Sequence, residues 1–286
     1  MRIADLRKEY HSSICKDVLR LKRDKKNNCY PNIADSGNES SRKIAQGLFN
    51  RLGCVDNYEN ISGQTAGDRF EKITKEFLEK AFNLLYHLRP GRWQYSTNTP
   101  ISYFYQYDHL AYIEKIIDTD SSLLSALGGN YIIKPDIVIG RYPVSDDDIN
   151  KYSEVLHQSE PLSKLTPLRK NNYENVNLIL HASISCKWTI RSDRSQNTRT
   201  EALNLIRNRK GPLPHIVSVT AEPLPTRIAS LALGTGDLDC VYHFALNELC
   251  LIIEEINNQD QMDMLLMMIE GKRLRDISDL PFDLAT

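Results

Sequence analysis

The chain has 286 residues, 41% hydrophobic and 26% charged, which is ordinary for a soluble globular protein with one large core. Its formal net charge of −1 argues against a generic polyanion binder, which would be basic. No apolar run approaches the length of a membrane span, and the N-terminal MRIADLRKEYHSS lacks the apolar centre of a signal peptide, so a cytoplasmic location is expected.

Residues 1–60 open on a predicted helix rich in basic side chains (Lys16, Arg20, Lys22, Arg23, Lys25, Lys26). The polar stretch NNCYPNIADSGNESS follows and reads as an exposed loop, free to touch a ligand. Over residues 65–88, Phe70, Ile73, Phe77, Ala81, Leu84 and Leu88 recur at helical spacing, with Thr65 or Asp68 as the cap. Glu71 lies beside that stripe and reads, on the residues alone, as a surface glutamate. Residues 101–127 are aromatic and helical in pattern; the tyrosines suit a nucleic-acid groove, a core or a subunit interface. Gly128-Gly129-Asn130 ends that element, and a strand is expected over 131–140. Residues 141–176 form a polar surface excursion. A second strand spans 176–188, a helix 200–209 stopped by Gly211-Pro212, and further strands 215–222 and 238–244. Two helices, 245–257 and 260–270, close the pattern. The order predicts an α/β fold, a mixed central sheet flanked by helices.

Six cysteines (Cys15, Cys29, Cys54, Cys186, Cys240, Cys250) are scattered, without a CxxC or a Cys/His cluster of zinc spacing, so reduced thiols are expected. Strand alternation turns Cys186 away from Lys187, which argues against a nucleophilic thiol. Charge is uneven: seven Lys/Arg against two acids from Lys187 to Lys210, and eleven acids against three bases from Asp237 to Thr286. A basic face and a solvated acidic face follow.

Asp136 follows Pro135 inside the strand-like YIIKPDIVIG, and Lys187 ends the next apolar strand, LHASISCK. An acid and a lysine at adjoining strand ends suit metal-dependent phosphodiester cleavage. Asp136 is a candidate Mg²⁺ ligand, with the Cys186 carbonyl completing the shell, and Lys187 can orient the attacking water or neutralise a phosphoryl oxygen. The usual acid–X–Lys pattern has Ser185 in its first place here, and serine is a poor Mg²⁺ ligand. Glu201, at the start of a helix that packs back on the sheet, is the economical substitute. Arg191, Asp193 and Arg194 are expected in the loop leaving the Lys187 strand. They are suited to G·C pairs in the major groove, or they form a surface salt-bridge cluster.

The segments SGQTAGDRFE, PDIV, LHASISCKWTIRSDRSQNTRTEALNLIRNRKGPLPHIV, TAEPLPTRIASLALGTGDLDCVYHFAL and GKRLRDISDLP closely resemble the NgoMIV-type Type II restriction endonucleases. These belong to the PD-(D/E)XK nucleases that recognise CCGG-centred sites. The likeness is dense after residue 180 and weak over 1–30, 90–125 and 141–176. It implies a restriction-endonuclease-like core in a single domain, 1–286, with the helical and loop region 1–64 contributing to DNA contacts. It implies a Mg²⁺-dependent, sequence-specific double-strand DNA endonuclease of the bacterial cytoplasm. The expected site is GCCGGC, cut after the first G to leave 5′ four-base CCGG overhangs and 5′-phosphate ends. Asp136, Lys187 and Glu201 match the family's catalytic positions, Ser185 its vacated acid slot and Glu71 a further acid. Arg191, Asp193 and Arg194 match the readers of the central CCGG, Asp35 and Arg227 the outer-base readers, and Gln64 a minor-groove contact. A homodimer or a homotetramer of two back-to-back dimers is implied, with a separate protective DNA methyltransferase in the same system. The competing readings are a repair or structure-specific nuclease of the same chemistry and a non-catalytic DNA-binding protein.

Overall fold

The long apolar run that ends at Lys187 forms the centre of a six-stranded mixed sheet. The structure is a computed structural model that describes residues 1–24, 26–119, 133–157, 159–170, 177–190, 192–234 and 236–286; the side chains of residues 114, 117–119 and 192–195 also lie outside the description. Strand β5 (Ile179–Lys187) is buried from Leu180 to Cys186, as expected of a strand covered on both faces. It pairs antiparallel with β4 (Ile137–Arg141), which pairs antiparallel with β3 (Trp93–Thr97). On its other side β6 (His215–Thr220), β7 (Cys240–His243) and β8 (Leu274–Asp276) run parallel. The register brings Lys187 opposite Thr220 and Thr220 opposite His243, so these strands end together along one edge. Gly140 sits at the β4–β5 bulge, where a Cβ would approach the Phe104 ring to 2.9 Å.

Helix α3 (Gly63–Leu84) lies against β5, with the rings of Phe70 and Trp188 5.2 Å apart. Its buried residues, among them Phe70, Phe77, Leu78, Ala81 and Phe82, keep the expected helical spacing. The cap is Ser62, whose Oγ accepts the Thr65 N–H at 3.0 Å, rather than Thr65 or Asp68. The helix stops at Leu84, and Leu88 is exposed. Helix α1 (Ile3–Asp17) packs on α3 and ends before most of the expected basic run. Val18, Leu19, Arg20 and Leu21 are buried in succession, which no single helix face can hold. The chain turns into a hairpin of β1 (Leu21–Arg23) and β2 (Cys29–Pro31), closed by Asn27 at φ 64°. The expected polar loop therefore contains β2 and a buried Ile33, and at Asn38 it caps α2 (Glu39–Arg51).

The helix expected over 101–127 is broken. Two 3-10 turns, Ile101–Tyr103 and Tyr105–Tyr107, flank an extended Phe104 that bridges Leu178, and α4 (His109–Thr119) follows. Tyr107 is buried and its hydroxyl donates to the Leu205 carbonyl at 2.9 Å, whereas Tyr103 is exposed. The Gly128-Gly129-Asn130 stop lies outside the described residues. Of the strand expected over 131–140, residues 131 and 132 lie outside the described residues; within the described part the strand begins at Ile137, after Pro135, which has no N–H to give a ladder. The described part of the excursion is a surface segment. Its short helix α5 (Asp146–Ile149) is held by Arg169, which donates two 2.6 Å bonds to the Asp146 carboxylate.

Helix α6 (Ser192–Asn208) starts well before the expected residue 200. Helices α7 (Pro225–Ala232), α8 (Leu246–Glu255) and α9 (Gln259–Glu270) follow, α7 packing on α9 and α2 on α8; a short α10 (Leu280–Asp283) ends the chain. Cys15 and Cys54 are joined in a disulfide, with Cα atoms 5.0 Å apart, which corrects the expectation of reduced thiols throughout. Cys29, Cys186, Cys240 and Cys250 are free.

Candidate active site

Asp136 occupies the position just before β4, beside the end of β5. Its Oδ2 accepts the Cys186 N–H at 2.6 Å and the Lys187 ammonium at 3.1 Å. Both side chains are partly exposed, 31% for Asp136 and 20% for Lys187, so the pair faces the solvent from a fixed base. That base is rigid because the Lys187 carbonyl accepts both the Thr220 hydroxyl, at 2.9 Å, and the Ala221 N–H, at 3.1 Å. Two further carboxyls share the field of this pair. Burial raises Glu71, on α3, to about 7; the charges of Asp136 and Asp68 add to the rise, and Lys187 opposes it. Burial of its carboxyl also raises Glu201, on α6, with Lys187 opposing and Asp136 reinforcing the shift. Asp136, Glu71 and Glu201 therefore share the field of one ammonium, and burial, reinforced by the charge of Asp136, keeps Glu71 and Glu201 from ionising freely.

The Cys186 thiol is buried and held well above its usual value by desolvation, then by Asp136 and Glu71, which leaves it inert as a nucleophile. The Ser185 hydroxyl is buried, has no hydrogen-bond partner among the described residues, and lines a cavity of about 10 Å³ with Thr198 and Glu201. It does not reach the Asp136–Lys187 pair through any hydrogen bond.

A cleft of about 320 Å³ opens over Lys187, between the first turns of α3 (Gly63, Ala66, Gly67), the end of β5 and Glu201 of α6. A Cβ at Gly63 or Gly67 would meet nothing within 4 Å, so this wall is open to a bulky ligand. Lys22, Asn32 and Thr189 line both this cleft and a groove of about 1240 Å³, which runs on past Tyr30, Asp35, Gln196, Arg199 and Arg227. Sequence reasoning puts Lys22 in a basic helix and Tyr30 in a polar loop, whereas the two stand opposite each other in the hairpin.

Asp35 and Arg227, far apart in sequence, form an ion pair in this groove. Gln64 is exposed on the first turn of α3. Arg191 lies outside the described residues. Asp193 and Arg194 fall in the first turn of α6 rather than in a loop, and their side chains lie outside the description. Sequence reasoning also missed Glu222, a fully buried acid at the end of β6.

An acid–lysine pair at the edge of a mixed sheet, with further carboxyls beside it and a long groove leading away, defines a restriction endonuclease, a site-specific deoxyribonuclease, once the chain's relatives are considered. The family described as NgoMIV restriction enzyme matches residues 10–286. The Type II restriction enzyme NgoMIV of Neisseria gonorrhoeae is 49% identical over 257 residues, which is 88% of this chain and 88% of that protein. The chain belongs to the NgoMIV restriction enzyme family. A solved structure, the restriction endonuclease PspGI–substrate DNA complex, aligns over 99% of this chain and 92% of that one at 14% identity. Its TM-score of 0.36 is too low to carry an argument. No described helix is long and apolar enough to cross a membrane.

Proposed function

We propose that this chain is a Mg²⁺-dependent Type II restriction endonuclease that recognises GCCGGC and cuts after the first G, leaving 5′ CCGG overhangs with 5′-phosphates. The observation that carries the reading is the convergence of Asp136, Lys187, Glu201 and Glu71 at one strand end.

The donor set fits a hard divalent cation. Its atoms are carboxylate oxygens, and their charge exceeds what Lys187 neutralises. Among the described residues, no three His, Cys, Asp or Glu side chains are gathered as a ready cage, and Mg²⁺ needs only one or two protein carboxylates. Asp136 and Glu201 would hold the ion, with the Cys186 carbonyl as third donor and Glu71 adding charge. When bound, Mg²⁺ withdraws electron density from the phosphate and stabilises the charge that builds on it. Lys187, fixed by Asp136, directs its ammonium at the scissile phosphate, where it orients the attacking water and offsets developing negative charge. Water adds to phosphorus, the bond to the 3′ oxygen breaks, and the products are a 3′-hydroxyl and a 5′-phosphate.

Arg191, Asp193 and Arg194 are assigned to the central CCGG, because an arginine fork matches guanine O6 and N7 while a carboxylate accepts from the cytosine amino group. Asp35 and Arg227 bring the same two chemistries to the groove as a pair, which supports their assignment to the outer G·C pair. Gln64 is assigned to the minor groove. The chain acts as a single domain whose region 1–64 touches DNA, as the groove's lining by Lys22, Tyr30 and Asp35 supports. It works as a homodimer or homotetramer in the bacterial cytoplasm, alongside a separate methyltransferase that protects host sites. Digestion of a plasmid in Mg²⁺ with run-off sequencing of the ends tests the site and cut position together; ends scattered over unrelated sequences would refute the assignment.

A further inference from the structure

Glu222 is completely buried where the segment TAEPLP leaves β6. A carboxyl there is costly unless its oxygens are engaged, and both are. Oε2 accepts the N–H of Ile190 at 2.8 Å. Oε1 accepts the N–H of Leu224 at 3.2 Å and lies 4.0 Å from Nη1 of Arg227. The Glu222 N–H donates to the Thr220 hydroxyl at 3.1 Å, and that hydroxyl donates to the Lys187 carbonyl at 2.9 Å. The Glu222 carbonyl lies 3.2 Å from Nε2 of the buried His243.

The partners come from two separate stretches of chain. Ile190 is buried and immediately precedes Arg191. Leu224 is the N-cap of α7, the helix that carries Arg227. A single side chain thus ties the start of one candidate reading segment to the start of the other, and anchors both to the strand end that presents Lys187. Only a group with two acceptors can take N–H bonds from both segments and face a guanidinium; an amide of the same shape offers one acceptor, and an apolar side chain none.

We infer that Glu222 is a positioning residue for sequence discrimination: its two oxygens hold the segment entering Arg191 and the helix bearing Arg227 at one fixed spacing, so that inner and outer base pairs are read in a single register. This rests on the proposed assignment of Arg194 to the inner pairs and Arg227 to the outer pair. Base readout depends on such spacing, because a bidentate contact loses its geometry with a shift of an ångström or less.

The test uses the full-length chain and Ca²⁺, with short duplexes carrying the hexamer found by run-off sequencing, an inner-pair change or an outer-pair change. Arg227→Ala should lower discrimination at the outer pair alone and Arg194→Ala at the inner pair alone. Glu222→Gln should lower it at both, by about tenfold each. An equal loss of affinity on all duplexes, with the ratios unmoved, would mean that Glu222 is merely structural and overturn the inference, as would a loss at one pair only. If the two arginine variants leave their ratios unchanged, the base-reading assignment fails and the inference falls with it. If they act as expected and Glu222→Gln does not, the positioning role alone fails. Should Glu222→Gln not fold, Glu222→Asp keeps the charge but withdraws the oxygens and should lower both ratios. Failure of both variants to fold would overturn the inference in favour of a folding role.

Discussion

Glu71→Gln should make the DNA-free, metal-free protein more stable while impairing cleavage. The Glu71 carboxyl is raised from an ordinary 4.5 to about 7 by burial and by the negative charges of Asp136 and Asp68. Holding it ionised in the fold therefore costs at most about 3 kcal/mol. The side chain is only half-buried, and solvent screening reduces this to ~1–2 kcal/mol. For a chain of this size the variant should melt ~2–5 °C higher at pH 8. Below pH 4.5 the carboxyl is protonated in folded and unfolded chains alike, so the wild type carries no penalty there. As pH rises from 4.5 to about 7 the unfolded chain ionises first, the wild type loses stability relative to the variant, and above about 7 the gap is complete. Thermal unfolding in EDTA across pH 4 to 8 measures the gap. A variant that melts lower at pH 8, or a gap that widens as pH falls, would refute the reasoning. Added Mg²⁺ should narrow the gap by favouring the ionised wild-type site.

Lys187→Ala should abolish cleavage in Mg²⁺ while leaving specific binding in Ca²⁺ measurable by gel shift, and retained cleavage would remove the lysine from its role. Arg194→Ala should cost roughly 1–3 kcal/mol of discrimination at an inner G·C pair, read by competition between cognate and substituted duplexes; an equal loss on every sequence would indicate a phosphate contact. Arg7 binds Glu248 and Asp276 through four bonds of 2.6 to 2.9 Å, so Arg7→Ala should destabilise the fold by about 3–5 kcal/mol in urea unfolding, since it leaves two partly buried carboxylates facing each other.

The strands that carry the candidate site were legible because each is a short apolar run with clear punctuation. Lys187 ends one such run, three residues short of the polar stretch that starts at Arg191, and HIVSVT lies between Pro214 and the prolines of EPLP. The helix under Glu71 was legible for its unbroken apolar stripe. The hairpin at 21–31 was not, because its strands are three residues each and only their packing distinguishes LKR from a helix end. The early start of α6 escaped notice because its first turns, SDRSQNTR, carry no apolar periodicity; the backbone coils there under polar side chains. Glu222 was invisible as a hub, since its partners Ile190 and Leu224 meet it only after β5 and β6 pair. The Asp35–Arg227 pair depended in the same way on tertiary contact across the groove.

The parallel register of β5, β6 and β7 sets the tolerance of this enzyme to change. Lys187, Thr220 and His243 stand in one row across three strands, and side chains alternate with a period of two. Replacing one of them alters its own contacts but leaves the strand register, and so the face to which every other side chain points, unchanged. Inserting or deleting one residue within β5 would swing Lys187 to the opposite face of the sheet and take it away from Asp136. Variation in such an enzyme therefore accumulates as exchanged residues, while changes of length are confined to the connections between strands.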